Sequence, residues 1–165
     1  MFWTRVAFVV VTGTAAACGG SSTPPATTTP TVPAAEKVLV NVDDNGVALS
    51  GNDAVAYVLD GKATPGVAEH SSSHGGAAYV FASADHKAAF NAEPDKFVPR
   101  YGGYCAYAAA QNRLSEVQAD QFEVYDGHLL LFTNPEFHQL FDKDPPGNKA
   151  KADANWPGLV AKHGR

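Results

Sequence analysis

A small single α+β domain of β-hairpins and short helices is the fold class this sequence predicts, and three observations point to it. Short β-branched stretches are separated by strong turn signals such as Asp126-Gly127, Ala-rich stretches follow residues suited to cap helices, and the two kinds mix without βαβ regularity. With 165 residues, 45% of them hydrophobic and including nine Phe and six Tyr, the chain supplies the interior of one domain.

Val38 to Val42 and Val47 to Leu49 flank Asp43-Asp44-Asn45-Gly46, which predicts a first hairpin. Asp53 suits an N-cap for a short helix over Ala54 to Leu59, ended by Asp60-Gly61. A second hairpin is expected from Val67 to Ala82, turning near Gly75-Gly76, with Tyr79 and Phe81 on one face. Ser83 then caps a helix over Ala84 to Ala92 that turns Phe90 inward and stops at Pro94. After a break at Tyr101-Gly102-Gly103, the composition of Tyr104 to Asn112 is helical. Phe122 to Val124 and Leu129 to Phe132 form a third hairpin across Tyr125-Asp126-Gly127-His128. Asn134 and Pro135 are an N-cap and N1 pair for a helix burying Phe137, Leu140 and Phe141.

The folded domain is expected over residues 36–165, because the first 35 residues read differently. Arg5 precedes an apolar run from Val6 to Ala17, about a dozen residues against the roughly 20 that a membrane helix needs, so residues 1–17 read as a cleaved export signal. The run closes on Ala15-Ala16-Ala17-Cys18-Gly19, which resembles the lipobox at which bacterial lipoproteins are acylated on Cys; cleavage after Ala17 without lipid is the alternative. Residues 18–35 are then a lipidated Cys18 and a Pro/Thr-rich disordered tether with no charge or aromatic side chain, able to reach on the order of 50 Å at about 3.1 Å per residue. The expected location is the cell envelope, on an outer membrane facing the periplasm where the host has one, since Gly19 supplies no acidic retention signal. The expected partners are that membrane, through the lipid, and an envelope protein. A formal net charge of −5 with no basic stripe excludes nucleic acid. With Cys18 in the signal junction, Cys105 has no intramolecular partner and is expected as a free thiol.

Gly51-Asn52-Asp53-Ala54-Val55-Ala56-Tyr57, Tyr79-Val80-Phe81-Ala82-Ser83, Pro94-Asp95-Lys96-Phe97, the run YGGYCAYA from Tyr101 to Ala108, Asp126-Gly127 and PGNKAKADANWP from Pro146 to Pro157 occur in one order. Together they resemble the YHS domain family, in the branch found on exported bacterial proteins, over roughly Val47 to Leu159. The resemblance implies a YHS-like fold and a link to heavy-metal handling. It also implies a departure: metal-linked members carry two cysteines around the segment matching Phe81 to His86, where this chain has Ala82 and His86.

The ligand-type residues give four candidates for Cu or Zn. His86 is placed in the first turn of its helix, near free amides that favour a neutral, ligating imidazole, and an exposed polar helix residue is the alternative. Cys105 is placed in the first turn after Gly102-Gly103, where the dipole favours thiolate; a packed small hydrophobe is the alternative. His70 and His74 stand at i and i+4, yet on a strand at about 3.3 Å per residue they are roughly 13 Å apart and chelate jointly only if a loop brings them together. His128, His138 and His163 read as surface residues, and Tyr101, Tyr104 and Tyr107 as core or as the wall of a cleft. No G-x-S-x-G, P-loop or H-E-x-x-H occurs, so the expectation is an accessory metal-binding domain without catalysis of its own. A structural or protein-interaction module that has lost its metal ligands, or a redox-sensing thiol protein, are the competing readings.

Overall fold

In the computed structural model, which describes residues 37–165, two antiparallel hairpins and six helices form a mixed α+β domain. Export signal, Cys18 and tether lie outside the described residues. Helix α1 (Ala54–Leu59) begins where Asp53 accepts hydrogen bonds from Val55 N and Ala56 N. Strands β1 (Val67–His74) and β2 (Ala77–Phe81) turn through Gly75 and Gly76, both at positive φ, and β2 alternates buried and half-buried residues with Tyr79 and Phe81 inward. Ser83 Oγ accepts from His86 N to open α2 (Ala84–Ala92), and α3 (Pro94–Phe97) follows. Beyond α4 (Ala106–Ala110), β3 (Phe122–Tyr125) and β4 (His128–Leu131) join through Asp126 and Gly127, both left-handed as a two-residue hairpin turn requires. Asn134 Oδ1 accepts from Phe137 N at the start of α5 (Pro135–Asp142), and α6 (Pro145–His163) completes the chain.

Strand β4 divides the interior. Its side chains alternate, so Leu129 and Leu131 enter a core with Val55, Tyr57, Phe81 and Phe90, while Leu130 and the following Phe132 enter another with Ala109, Phe141 and Leu159. Such two-sided burial is worth roughly 1.5–3 kcal/mol per large apolar side chain. Because β3 pairs in register with β4, Glu123 stands opposite Leu130 and shares the second face with Tyr125, which packs edge-on against Phe141.

Two expectations are corrected, and one helix appears where none was assigned. The first hairpin is reduced to a single Val42↔Ala48 bridge, because its backbone groups bond elsewhere: Val38 N to Arg165 O, Asn41 N to Gly102 O, and Ala48 N to Ala78 O. The helix expected over Tyr104 to Asn112 is only α4, since Tyr101, Gly102 and Gly103 form a left-handed turn and Cys105 is extended, at the N-cap. The 19-residue α6 was not anticipated from its Pro- and Gly-rich sequence. Pro145 and Pro146 occupy its first positions, where no N–H is needed, and Asp144 caps Gly147 N. From α6, Asn148 donates to the Leu140 and Phe141 carbonyls and Asn155 to those of Ala109 and Ala110, closing the C-terminal ends of α5 and α4. Among the described residues no helix is long and apolar enough to cross a membrane.

Candidate metal centre

The four sequence-derived candidates are not brought together. Cys105 is fully buried in the second core, beside Leu130 and Phe132, with its N–H donated to Ser115 O. Its backbone precedes a helix of only five residues, so the dipole expected to stabilise a thiolate is short, and its sulfur is enclosed by apolar groups. His70 lies on β1 within the bulge between the Val67↔Phe81 and Ser71↔Val80 pairs, whereas His74 sits at the end of the strand, edge-on to Phe90 at 6.0 Å and 3.7 Å from Asp95 Oδ1. A strand rather than a loop separates them, so they do not converge.

His86 is held on the first-core side of the molecule. Its Nδ1 lies 2.7 Å from Oδ2 of Asp53, a carboxylate with no solvent exposure that also accepts from Ala82 N. A carboxylate only accepts, so the shared hydrogen sits on Nδ1, and Nε2 faces Asp60 Oδ2 at 3.9 Å. This contact ties α2 to the start of α1 and the end of β2. His86 is therefore a structural clamp in the fold, whatever else its outer nitrogen does.

Another set of ligand-type residues does converge. Glu123 on β3 and His138 and Asp142 on α5 place one ligand atom each within 4.8 Å of one another, the one such group among the described residues. His138 and Asp142 are i and i+4, so one helical turn sets both on the same face. The His138 ring lies flat on Phe132, centroids 4.2 Å apart and planes within 12°, which fixes its orientation and brings Nε2 to 3.6 Å from Glu123 Oε2. The other Glu123 oxygen, Oε1, is shielded from solvent and has no hydrogen-bond partner among the described residues. Buried acceptors are almost always paired, so this oxygen is an orphan that a cation would satisfy.

Burial raises the Glu123 pKa above its ordinary 4.5, the charge of Asp142 raises it further, and His138 opposes both without cancelling them. The folded state thus binds this proton more tightly than the unfolded chain. Glu123 contributes stability that is fully present below pH 4.5 and is lost as pH rises through its raised pKa. In metal-free protein, Glu123→Gln is accordingly expected to raise the melting temperature by a few degrees at pH 7. That gain should vanish below about pH 4.5, as checked by thermal melts in chelator across pH. An equal gain at every pH would count against the linkage.

The remaining histidines lie at a turn and a helix end, and the three tyrosines are held by packing. His128 pairs with Tyr125 at the β3–β4 turn, and His163 is exposed in the last turn of α6. Tyr101 is buried against Trp156 and donates its hydroxyl to Asp153, which also receives Arg100 and Lys149. Tyr107 packs on Phe137, and Tyr104 is half-buried. The sequence signal for the converging group was present in part: H-x-x-x-D on an expected helix with an adjoining expected hairpin. Comparison with family models, with curated proteins and with solved structures finds no match to this chain.

Proposed function

We propose that the protein is an envelope-tethered accessory domain that binds a divalent transition metal, without catalysis of its own, and that Glu123, His138 and Asp142 are the metal's seat. The observation that carries this reading is the convergence of Glu123, the oriented His138 imidazole and Asp142, with one Glu123 oxygen facing His138 and the other left without a partner. The export signal, the lipobox-like Ala15-Ala16-Ala17-Cys18 and the charge-free tether support the envelope location, and the ordered motifs from Gly51 to Pro157 support placing the domain near the YHS family. His86 and Cys105 are not the preferred ligands in this reading, since one is engaged by Asp53 and the other is enclosed.

One imidazole and two carboxylates suit Zn²⁺ or Cu²⁺ and disfavour Cu(I), which prefers thiolate and thioether donors. Around a tetrahedral ion with bonds of about 2.1 Å, ligand atoms stand about 3.4 Å apart. A contraction of at most about 1.4 Å from the observed 4.8 Å envelope therefore closes the site. Three protein ligands leave a coordination position open, the arrangement expected of a domain that receives and passes on its ion.

Calorimetric titration of the full chain carrying Cys18→Ser tests this. Binding of Zn²⁺ or Cu²⁺ is expected in the micromolar range or tighter, with His138→Ala weakening it about 100-fold and His86→Ala leaving it unchanged. Absence of binding at about 100 μM metal would favour the interaction-module reading. Loss on His86→Ala but not on His138→Ala would move the seat back to the first core. A redox-sensing Cys105 is disfavoured by its enclosure, which denies an oxidant access to the sulfur.

A further inference from the structure

Both ends of the described chain meet at one pole of the domain. Val38 N donates to Arg165 O and Arg165 N to Val38 O, each at 3.0 Å, and Lys37 Nζ donates to Ala161 O at 3.0 Å. Three cavities open around this pole in a chain of shared walls, and a fourth, about 230 Å³ and lined by Asp43 and Glu116, adjoins one of them at Val42. The largest, about 560 Å³, is an apolar groove walled by Val38, Leu39, Trp156, Pro157, Val160 and Ala161. Val38 and Leu39 also wall a second cavity of about 190 Å³, and His163 joins that one to a third of about 420 Å³.

Around the first three openings the charge is of one sign, and the fourth marks where that region ends. Lys37, Arg113, Lys162 and Arg165 line the first three together with His163, and no Asp or Glu does. The chain as a whole is acidic, at −5, so this pole is a cationic exception rather than a sample of the surface. Glu116 is close enough to Tyr104, in the second cavity, to add to the burial that raises its pKa, but it accepts from Asn41 and, with Asp43, lines only the fourth cavity. An apolar groove containing a tryptophan, with Lys37 on its own wall and Arg165, Lys162 and Arg113 on the neighbouring cavities, is complementary to anionic headgroups above acyl chains.

We propose that this pole docks on an anionic lipid membrane, with Trp156, Val38 and Val160 entering the interface and Lys37, Arg113, Lys162 and Arg165 ringing the phosphates. Val38 is already 38% exposed, an apolar side chain in contact with water that the docked state would cover. With Cys18 lipidated, as proposed above, the tether leads from the membrane to Lys37 at this same pole. Neither the metal seat nor its ligands take part.

Flotation of the full chain carrying Cys18→Ser tests the proposal, because that variant takes no lipid and any affinity of the leader is measured on neutral vesicles. Vesicles of phosphatidylglycerol with phosphatidylethanolamine are compared with vesicles of phosphatidylcholine. The chain is expected to prefer the anionic vesicles by about 100-fold at low salt, a preference that high salt erases. Arg113→Glu with Lys162→Glu should reduce the preference at least roughly 25-fold, from about fivefold per cation removed. Lys143→Glu with Lys151→Glu, exposed lysines away from the three cavities, should leave it near its starting value, and circular dichroism shows whether each variant is folded. Equal binding to the two vesicle types, or an unchanged preference in the folded Arg113/Lys162 variant, would overturn the proposal. Lipidation is read separately, from the intact mass of protein recovered from the envelope, so its failure is distinguishable from failure of the docking surface.

Discussion

Asp53→Ala is expected to lower the unfolding free energy by about 3–5 kcal/mol, a large share of the stability of a domain this size. The carboxylate has no solvent exposure and accepts four hydrogen bonds: from Val55 N and Ala56 N on Oδ1, and from Ala82 N and His86 Nδ1 on Oδ2. Losing the helix cap costs about 1 kcal/mol. The exposed Ala82 amide and the half-buried His86 ring nitrogen each lose a bond to a charged group, roughly 1.5–3 kcal/mol apiece before water replaces part of it. Asp53→Asn keeps one oxygen for the cap but turns an amide donor toward one of the Oδ2 partners, so its loss should be smaller. Urea titrations of the two variants measure the difference. A loss under about 1 kcal/mol for Asp53→Ala would mean that water replaces the carboxylate, and the clamp would be of no consequence.

The second large effect is expected at Gly102. Its φ is +57°, and a Cβ there would lie 2.0 Å from the carbonyl oxygen of Leu39, a backbone atom with little freedom to move. Gly102→Ala should therefore cost about 3 kcal/mol or more, through overpacking added to left-handed strain. The damage should be local at first. Asn41 N donates to Gly102 O, so displacing the turn removes that bond and loosens the segment running from Val38 to Val42. Hydrogen exchange should show lost protection at Asn41 before the β3–β4 hairpin is affected. Gly103→Ala, whose nearest contact would be Pro99 Cγ at 3.4 Å, should cost only about 1 kcal/mol. Equal losses at the two positions would show that backbone conformation, not the contact with Leu39, governs the turn.

Local chemistry was legible in the sequence wherever a residue acts on its near neighbours. Asp53, Ser83 and Asn134 cap the helices that begin after them, and Asp126-Gly127 turns its hairpin. Contacts across the chain were not. Asp53 reaches His86 across 33 positions, and no period or capping rule joins them. The same holds for the candidate metal centre. His138 and Asp142 were readable as one face of a helix, but their meeting with Glu123 depends on α5 packing against the β3–β4 hairpin through Phe132, Tyr125 and Phe141. Helix α6 was hidden for another reason. Two prolines, two glycines and the internal Pro157 depress its intrinsic propensity, and burial of Asn148, Ala152 and Leu159 outweighs that. The first hairpin failed in the opposite sense: its residues favour strands, but Arg165, Gly102 and Ala78 compete for their backbone groups and win.

The reciprocal bonds between Val38 and Arg165 have a consequence for how this unit can be rewired. A folded unit whose first and last described segments lie side by side tolerates circular permutation, with a short linker joining residues 37 and 165 and new ends opened at an exposed turn such as Asp126-Gly127. It also fits as an insert within a surface loop of a host protein, since the host needs to part by only the width of one strand pair.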